Sequence, residues 1–255
     1  MSTAPSDPGA AGPGPSDPGM PDMPRDPERT RGRYAVTLDG RPAGIDERFV
    51  LGDIAPGVWR VRSTRISARP TSRLETDVRV DADGAVGVAL RWVGSGDGVV
   101  REARSDLLER DGAVTVTRTV EGTAYDAPAF LGRIDVLAHA CTGPLVLSAL
   151  HGDGIDVVEP SVLDVGDAAS FLAPVMTRWS ATRTGQDVVV VSGVEHAGTA
   201  YDRLDERTGR VSSVLVDTGG LVLRSRTTTA AGEIEVRLVD VDGPWPEPMR
   251  WGATT

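Results

Sequence analysis

Along residues 174 to 241, apolar and polar positions trade places every second residue, between short breaks that each contain a glycine. Val188, Val190 and Val194 alternate with Asp187, Gly193 and Glu195 around the apolar run Val188 to Val191. A period of two predicts a strand with at least one buried face. Val175 to Arg183, Thr199 to Glu206, Val211 to Asp217, Leu221 to Thr229 and Glu233 to Asp240 carry the same signature. The breaks fall at Thr184-Gly185-Gln186, Arg207-Thr208-Gly209, Thr218-Gly219-Gly220 and Ala230-Ala231-Gly232. Connections this short leave no room for a crossover helix, so six strands are expected to pair antiparallel as a meander.

The first half repeats the pattern. Tyr34, Val36 and Leu38 alternate into Asp39-Gly40, and Glu47 to Leu51 returns. Val58 to Ala68 places Trp59 and Val61 on one face, Arg60 and Arg62 on the other. Arg73 to Val80 leads to the turn Asp81-Ala82-Asp83-Gly84. Val86, Val88, Leu90 and Trp92 then alternate with Gly87, Ala89 and Arg91, which predicts one packed face and one closely approached face. Val99 to Glu109 and Val114 to Val120 complete seven strands.

Between residues 122 and 173 the rhythm fails. Ile134 to Cys141 and Leu145 to Leu150 fit helix or strand equally, and Ala168 to Leu172 fits a short helix capped by Asp167. An irregular insert of about 50 residues is too long for an idle connection. It is expected to plug or cover the sheet. The whole reads as all-β: a strongly curved antiparallel meander forming a barrel or half-barrel, with a partly helical insert plugging it.

Three regions follow. Residues 1 to 31, rich in Pro, Gly, Asp and Ser, bury too little apolar surface to offset backbone ordering and are expected to be disordered, with order beginning at Arg33. Residues 32 to 241 form one β-barrel-like domain. Residues 242 to 255 form a tail whose prolines bar a central strand, and whose Trp245 and Trp251 are expected to pack back on the domain.

Composition narrows the chemistry. A formal charge of −10 and a pI near 4.8 argue against nucleic acid, which needs a basic face. All 27 basic residues are arginine, and asparagine is absent as well, as a GC-rich coding bias would produce. That excludes Schiff-base lysine catalysis, a phosphate-loop lysine and N-glycosylation. Cys141 is alone, so no intrachain disulfide forms. The start of the chain lacks the apolar core of a signal peptide, and a cytoplasmic location is expected. No stretch of about 18 apolar residues predicts a membrane span.

About thirteen strands make a barrel wider than its own side chains fill, and the remaining space predicts a cavity for an apolar or amphipathic small molecule. Trp59, Trp92, Tyr125, Phe130, Trp179 and Tyr201 are the candidate ligand-binding residues, since in a barrel the core and the ligand wall share a face. No cofactor and no metal are expected. Asp81 to Gly84 lacks the further carboxylates of a calcium loop, and His151, Asp153, Asp156 and Glu159 read more simply as a solvated acidic loop. Gly94-Ser95-Gly96-Asp97-Gly98 has the wrong spacing for a dinucleotide loop and precedes a strand. Glu195 and His196 are adjacent on a strand and point to opposite faces, which favours a solvated strand end over an acid–base pair. His139 and Cys141 share a face only in a strand, and a nucleophile there would still need an orienting group.

Tyr34 to Gly40 with Gly44, Val191 to Glu195 with Thr199 to Tyr201, and Val216 to Arg224 with Gly232 to Leu238 resemble the strands and turns of LolA-like half-barrel domains of uncharacterised bacterial families. The resemblance implies a curved antiparallel sheet around an apolar cavity, and a carrier of lipid or another hydrophobic ligand. Barrel-shaped polyketide cyclases, including Diels–Alder-type enzymes, resemble the same architecture. That likeness implies cofactor-free cyclisation of a polyketide-like substrate, in which a cavity holds the reacting ends together, and this is the expected activity, with a non-catalytic carrier of lipid or another hydrophobic ligand as the alternative.

Overall fold

The computed structural model describes residues 29–68, 71–95, 100–127, 129–150, 154–162 and 165–246. Alternation becomes strand wherever both faces have a use. The first seven strands are β1 (Thr30–Leu38), β2 (Arg41–Ala55), β3 (Val58–Ala68), β4 (Thr71–Val80), β5 (Val86–Gly94), β6 (Glu102–Arg110) and β7 (Ala113–Val120). The insert supplies β8 (Thr123–Asp126), β9 (Phe130–Leu131), β10 (Arg133–Ile134), helix α1 (His139–Ser148) and β11 (Ile155–Pro160). Then come β12 (Pro174–Val191), β13 (Val194–Asp205), β14 (Arg210–Val216), β15 (Val222–Thr229) and β16 (Gly232–Asp242).

The described residues form one curved sheet of sixteen strands, in the order β10 to β16 and then β1 to β8, with β9 paired to β7. Every pairing is antiparallel except β10 with β11. The two halves join where β1 lies against β16, Tyr34 opposite Leu238 and Val36 opposite Val236. The sheet does not close by hydrogen-bonded strands, but its ends approach each other. Glu109 of β6 accepts the Ile134 backbone N–H at 2.9 Å and pairs with Arg133 at 2.5 Å. The inward faces of both halves pack as one core around Tyr34, Phe49, Leu90, Leu145, Trp179 and Leu238.

The plug is α1, apolar enough to be buried along most of its length. Its Gly143 lies against the Gly220 carbonyl so closely that a Cβ would overlap it. A second cover, residues 165–172, follows a turn in which Asp167 Oδ1 accepts the Ala169 N–H. Arg118 of β7 binds that cover through the carbonyls of Ala168, Ala169 and Phe171 at 3.1, 2.5 and 2.6 Å.

Several expectations need correction. Thr184-Gly185-Gln186 is not a turn; β12 passes through it, with a bulge between Arg183 and Gly185. The second half therefore has five strands from Pro174 on, and the hairpin turns at Ser192-Gly193, where φ is 49° and 81°. Two successive positive φ values suit the right-handed twist of a tight hairpin. Val188 and Val190 face outward, while Val189 and Val191 are buried. Order begins before Arg33, since Thr30 is buried and its hydroxyl donates to the Pro244 carbonyl. Ala168 to Leu172 forms turns rather than a helix, and β6 starts at Glu102. Residues 1–28, 96–99, 151–153 and 247–255 lie outside the described residues, and with them the expected disordered start, Gly96 to Gly98, His151, Asp153 and Trp251.

Candidate functional site

Hairpin registers bring distant residues into rows. On the outer face Arg33 stands opposite Arg48, then Thr64, Glu75, Arg91 and Arg104 follow across β3 to β6. The next row holds Arg31, Val50, Arg62, Asp77, Ala89 and Asp106. Around the short side chains of Val50 and Ala89 the surface sinks into a hollow of about 400 Å3. Arg48, Arg62, Arg73, Arg91 and Arg104 line it, against the two carboxylates of Glu75 and Asp77.

Each of these guanidinium groups leans on a carboxylate: Arg48 on Asp46 at 3.0 Å, Arg62 on Asp77 at 3.5 Å and Arg73 on Glu75 at 2.7 Å. Arg91 lies 3.7 Å from Glu102 and Arg104 2.9 Å from Asp106. The five arginine side chains are 45% to 66% exposed, so water screens these pairs and each holds its partner weakly. Arg33 opposite Arg48 and Arg91 opposite Arg104 set like charges across strands, and carboxylates offset them: Asp46 lies 3.0 Å from both Arg33 and Arg48, and Glu102 and Asp106 serve Arg91 and Arg104.

The inner face of the same strands carries a different centre. Glu47 of β2 is fully buried, opposite Tyr34 on one side and Arg65 on the other. Its Oε1 accepts the Ser63 hydroxyl at 3.0 Å and the His139 backbone N–H at 2.9 Å. Its Oε2 accepts Arg65 Nη2 at 2.7 Å and His139 Nδ1 at 2.7 Å, which places the proton on Nδ1. Burial alone would raise the carboxyl, but the Arg65 and His139 charges outweigh it and hold Glu47 far below the usual carboxylate range. Arg65 Nη2 also donates to the Leu137 carbonyl at 3.2 Å. This centre fastens the start of α1 to the sheet.

Beside it lies Asp135, buried, with Oδ1 lacking a hydrogen-bond partner. Burial pushes its carboxyl up to about 8, with Arg203 opposing and Glu159 adding to the rise. The Arg203 guanidinium sits 3.8 Å from the centre of the Trp179 ring. Cys141 is buried two residues after His139, and burial pushes its thiol well above the ordinary range. As the segment is helical, His139 and Cys141 do not share a strand face.

The six aromatics divide among three apolar clusters. Trp59, Phe130 and Trp179 belong to the main core. Trp92 and Tyr125 pack under the 165–172 cover, Trp92 edge-on to Phe171 at 5.2 Å and Tyr125 4.1 Å from the Arg118 guanidinium; Trp92 also packs against the main core and bridges the two. Tyr201 lies in a third cluster with Val146 and Val214. His196 is not a solvated strand end; it stacks on Trp245 at 4.0 Å, whose indole N–H donates to Asp217 at 2.6 Å. Asp156 pairs with Arg178 at 3.0 Å and Glu159 with Arg207 at 3.5 Å. Among the described residues no three His, Cys, Asp or Glu side chains converge on a metal site, and no helix is long and apolar enough to cross a membrane.

Neither centre was found from the sequence. Alternation puts Arg60 and Arg62 on the face away from Trp59, but the rows need the registers of five hairpins. The pair Glu47 and Arg65 is separated by 18 residues and becomes visible only once β2 and β3 are aligned.

No family model and no curated protein matches the chain. Among solved structures it is similar to a beta-barrel-like protein of domain of unknown function DUF1849 from Brucella abortus. That match has a TM-score of 0.52 at 15% identity and covers 85% of this chain and 98% of that one. A DUF1089 family protein from Pseudomonas aeruginosa aligns at a TM-score of 0.41 and 19% identity, over 69% of this chain and 87% of that one. The first likeness establishes a shared barrel-like fold.

Proposed function

We propose that the protein binds a small amphipathic anion, a molecule with an apolar body and an acidic head, in the hollow over β2 to β6, and releases it unchanged. The observation that carries this reading is the concentration of five arginines around a 400 Å3 hollow in a chain of net charge −10. The volume falls within the range of small-molecule sites, about 300–1,000 Å3. Val50 and Ala89 give the floor an apolar area for the body of the ligand. The guanidinium groups present planar paired donors that suit a carboxylate or phosphate, and their present partners are exposed enough to yield.

The resemblance to LolA-like half-barrels supports a carrier rather than an enzyme. Templated cyclisation of a polyketide-like substrate has less support, because it needs one enclosing wall, whereas Tyr201 sits in a cluster apart from the other five aromatics and only Trp92 links the main core to the 165–172 cover. Binding is tested by fluorescence titration with dansyl-aminoundecanoic acid and with its neutral methyl ester. The acid is expected to saturate one site and the ester to bind at least about tenfold more weakly, the worth of one charge-assisted contact. Ala89→Trp fills the hollow and is expected to abolish binding with an unchanged melting temperature. Absence of saturable binding, or full binding in Ala89→Trp, sinks the proposal.

A further inference from the structure

We infer that the inner face of the sheet beneath residues 165–172 is a second ligand site, for a small arylalkanoic acid, and that Phe171 holds the place of that acid in the unliganded chain. The site begins with a charge. Arg118 of β7 is only 9% exposed. Its donors go not to a carboxylate but to the backbone carbonyls of Ala168, Ala169 and Phe171, and its guanidinium lies over the Tyr125 ring. A buried cation met by neutral carbonyls alone favours an anion in their place.

An unpaired hydroxyl stands beside it. Ser105 is opposite Arg118 across β6 and β7, fully buried, and its Oγ has no hydrogen-bond partner among the described residues. Buried hydroxyls are ordinarily paired, and an unpaired one is destabilising until an acceptor arrives. A carboxylate brings two acceptor oxygens where the Phe171 carbonyl offers one. The walls are apolar: Trp92, Val100, Ala103 and Val120 pack around Phe171 and Leu172.

Phe171 gives the shape of the ligand. Its ring lies edge-on to Trp92 at 5.2 Å while its carbonyl oxygen sits 2.6 Å from Arg118 Nη1. Cβ and Cα join that ring to the carbonyl carbon, so the residue traces the frame of a 3-arylpropanoate. The cover is also built to yield. It is fastened at its ends, where the Val165 carbonyl accepts the Val100 N–H at 2.6 Å and the Leu172 N–H donates to the Ser161 carbonyl at 2.6 Å. Between those ends the described hydrogen bonds of its backbone run within its own turn and to Arg118. Leu172 holds a φ of 56°, a left-handed conformation disfavoured for a bulky side chain, and lifting the segment relieves that strain.

The full chain is titrated with 3-phenylpropanoate and, as a neutral control, 3-phenylpropan-1-ol, and followed by amide and indole NMR. Saturable shifts are expected at the Trp92 indole, Ala103, Val120 and Ala169, with the alcohol at least about tenfold weaker, the worth of one charge-assisted contact. Ser105→Ala removes only the unpartnered hydroxyl, so its melting temperature should match or exceed the parent's while affinity for the acid falls about fivefold. A destabilised Ser105→Ala chain with unchanged affinity assigns that hydroxyl to the fold and overturns the site. Phe171→Ala frees the ring position and leaves the Arg118 and Ser105 side chains in place, and it is expected to bind the acid about tenfold more tightly. Weaker binding by that variant overturns the placeholder role of Phe171. Absence of saturable shifts in both the parent and Phe171→Ala, or equal affinity for acid and alcohol, overturns the site. Shifts confined to Val50, Thr64 and Ala89 overturn it too and place the acid in the outer hollow, so the two sites stand or fall separately.

Discussion

Arg62 and Arg65 lie three residues apart on β3 and lead different lives. Arg62 faces outward, 46% exposed, 3.5 Å from Asp77. Arg65 faces inward, 25% exposed, and binds the fully buried Glu47 at 2.7 Å. The outer pair is screened and replaceable. In the inner pair Glu47 is fully buried, and each of its carboxylate oxygens accepts from two donors or more. Composition is thus a poor guide to role; the parity of a position along a strand decides whether an arginine fastens the core or pairs at the solvent-facing surface.

The largest effect should come from breaking the inner centre. Glu47→Gln leaves Arg65 and His139 without their carboxylate, and unpairing a buried ion pair costs about 3–5 kcal/mol. A drop of that size in urea unfolding is expected, against no measurable change for the outer Glu75→Gln. Comparable losses from both would erase the distinction between the faces.

A pH series sharpens the contrast within the interior. Glu47 titrates far below its ordinary 4.5 in the folded chain, so its stabilisation is complete above about that pH and is lost on acidification below it. Asp135 runs the other way. With a folded value of about 8 against an ordinary 3.8, the folded chain holds a proton that the unfolded chain has released, so stability falls as pH rises through that window. Asp135→Asn is expected to flatten the decline between pH 5 and 8 in thermal unfolding, and a decline of unchanged slope would assign it elsewhere.

The smallest stability effect belongs to Arg62→Gln, within about 0.5 kcal/mol of the parent, as for surface pairs generally. The same substitution should weaken anionic-probe binding about tenfold in the titration, and a destabilised chain with intact binding would reverse the roles.

Strands were legible because alternation and glycine turns are local signals. Alternation marks all seven strands of the first half, from Tyr34 to Val120, and a meander in the second with one strand too many. Gly185 misled because a glycine serves a bulge as well as a turn, and only pairing with Ala200 shows which. Valines at four consecutive positions, Val188 to Val191, hid which pair was buried. Helix α1 was ambiguous for a different reason: a segment buried on nearly all sides has no polar face to set its period. The hollow and the Glu47 centre were not legible, since both are made by register across strands and no single stretch contains them.

The joint between β1 and β16 governs how the molecule is made. Those strands are separated by some 200 residues, yet they sit together in the middle of the sheet and hold its halves as one piece. A chain emerging from the ribosome can form the β2 to β7 hairpins early, but the core around Tyr34 and Leu238 waits for the last strand. Pairings this remote in sequence close slowly and leave apolar strands uncovered meanwhile. Birth order therefore makes β16 the keystone: until it arrives the β1 edge, with Tyr34 and Val36 on its inner side, stands open to any other nascent strand.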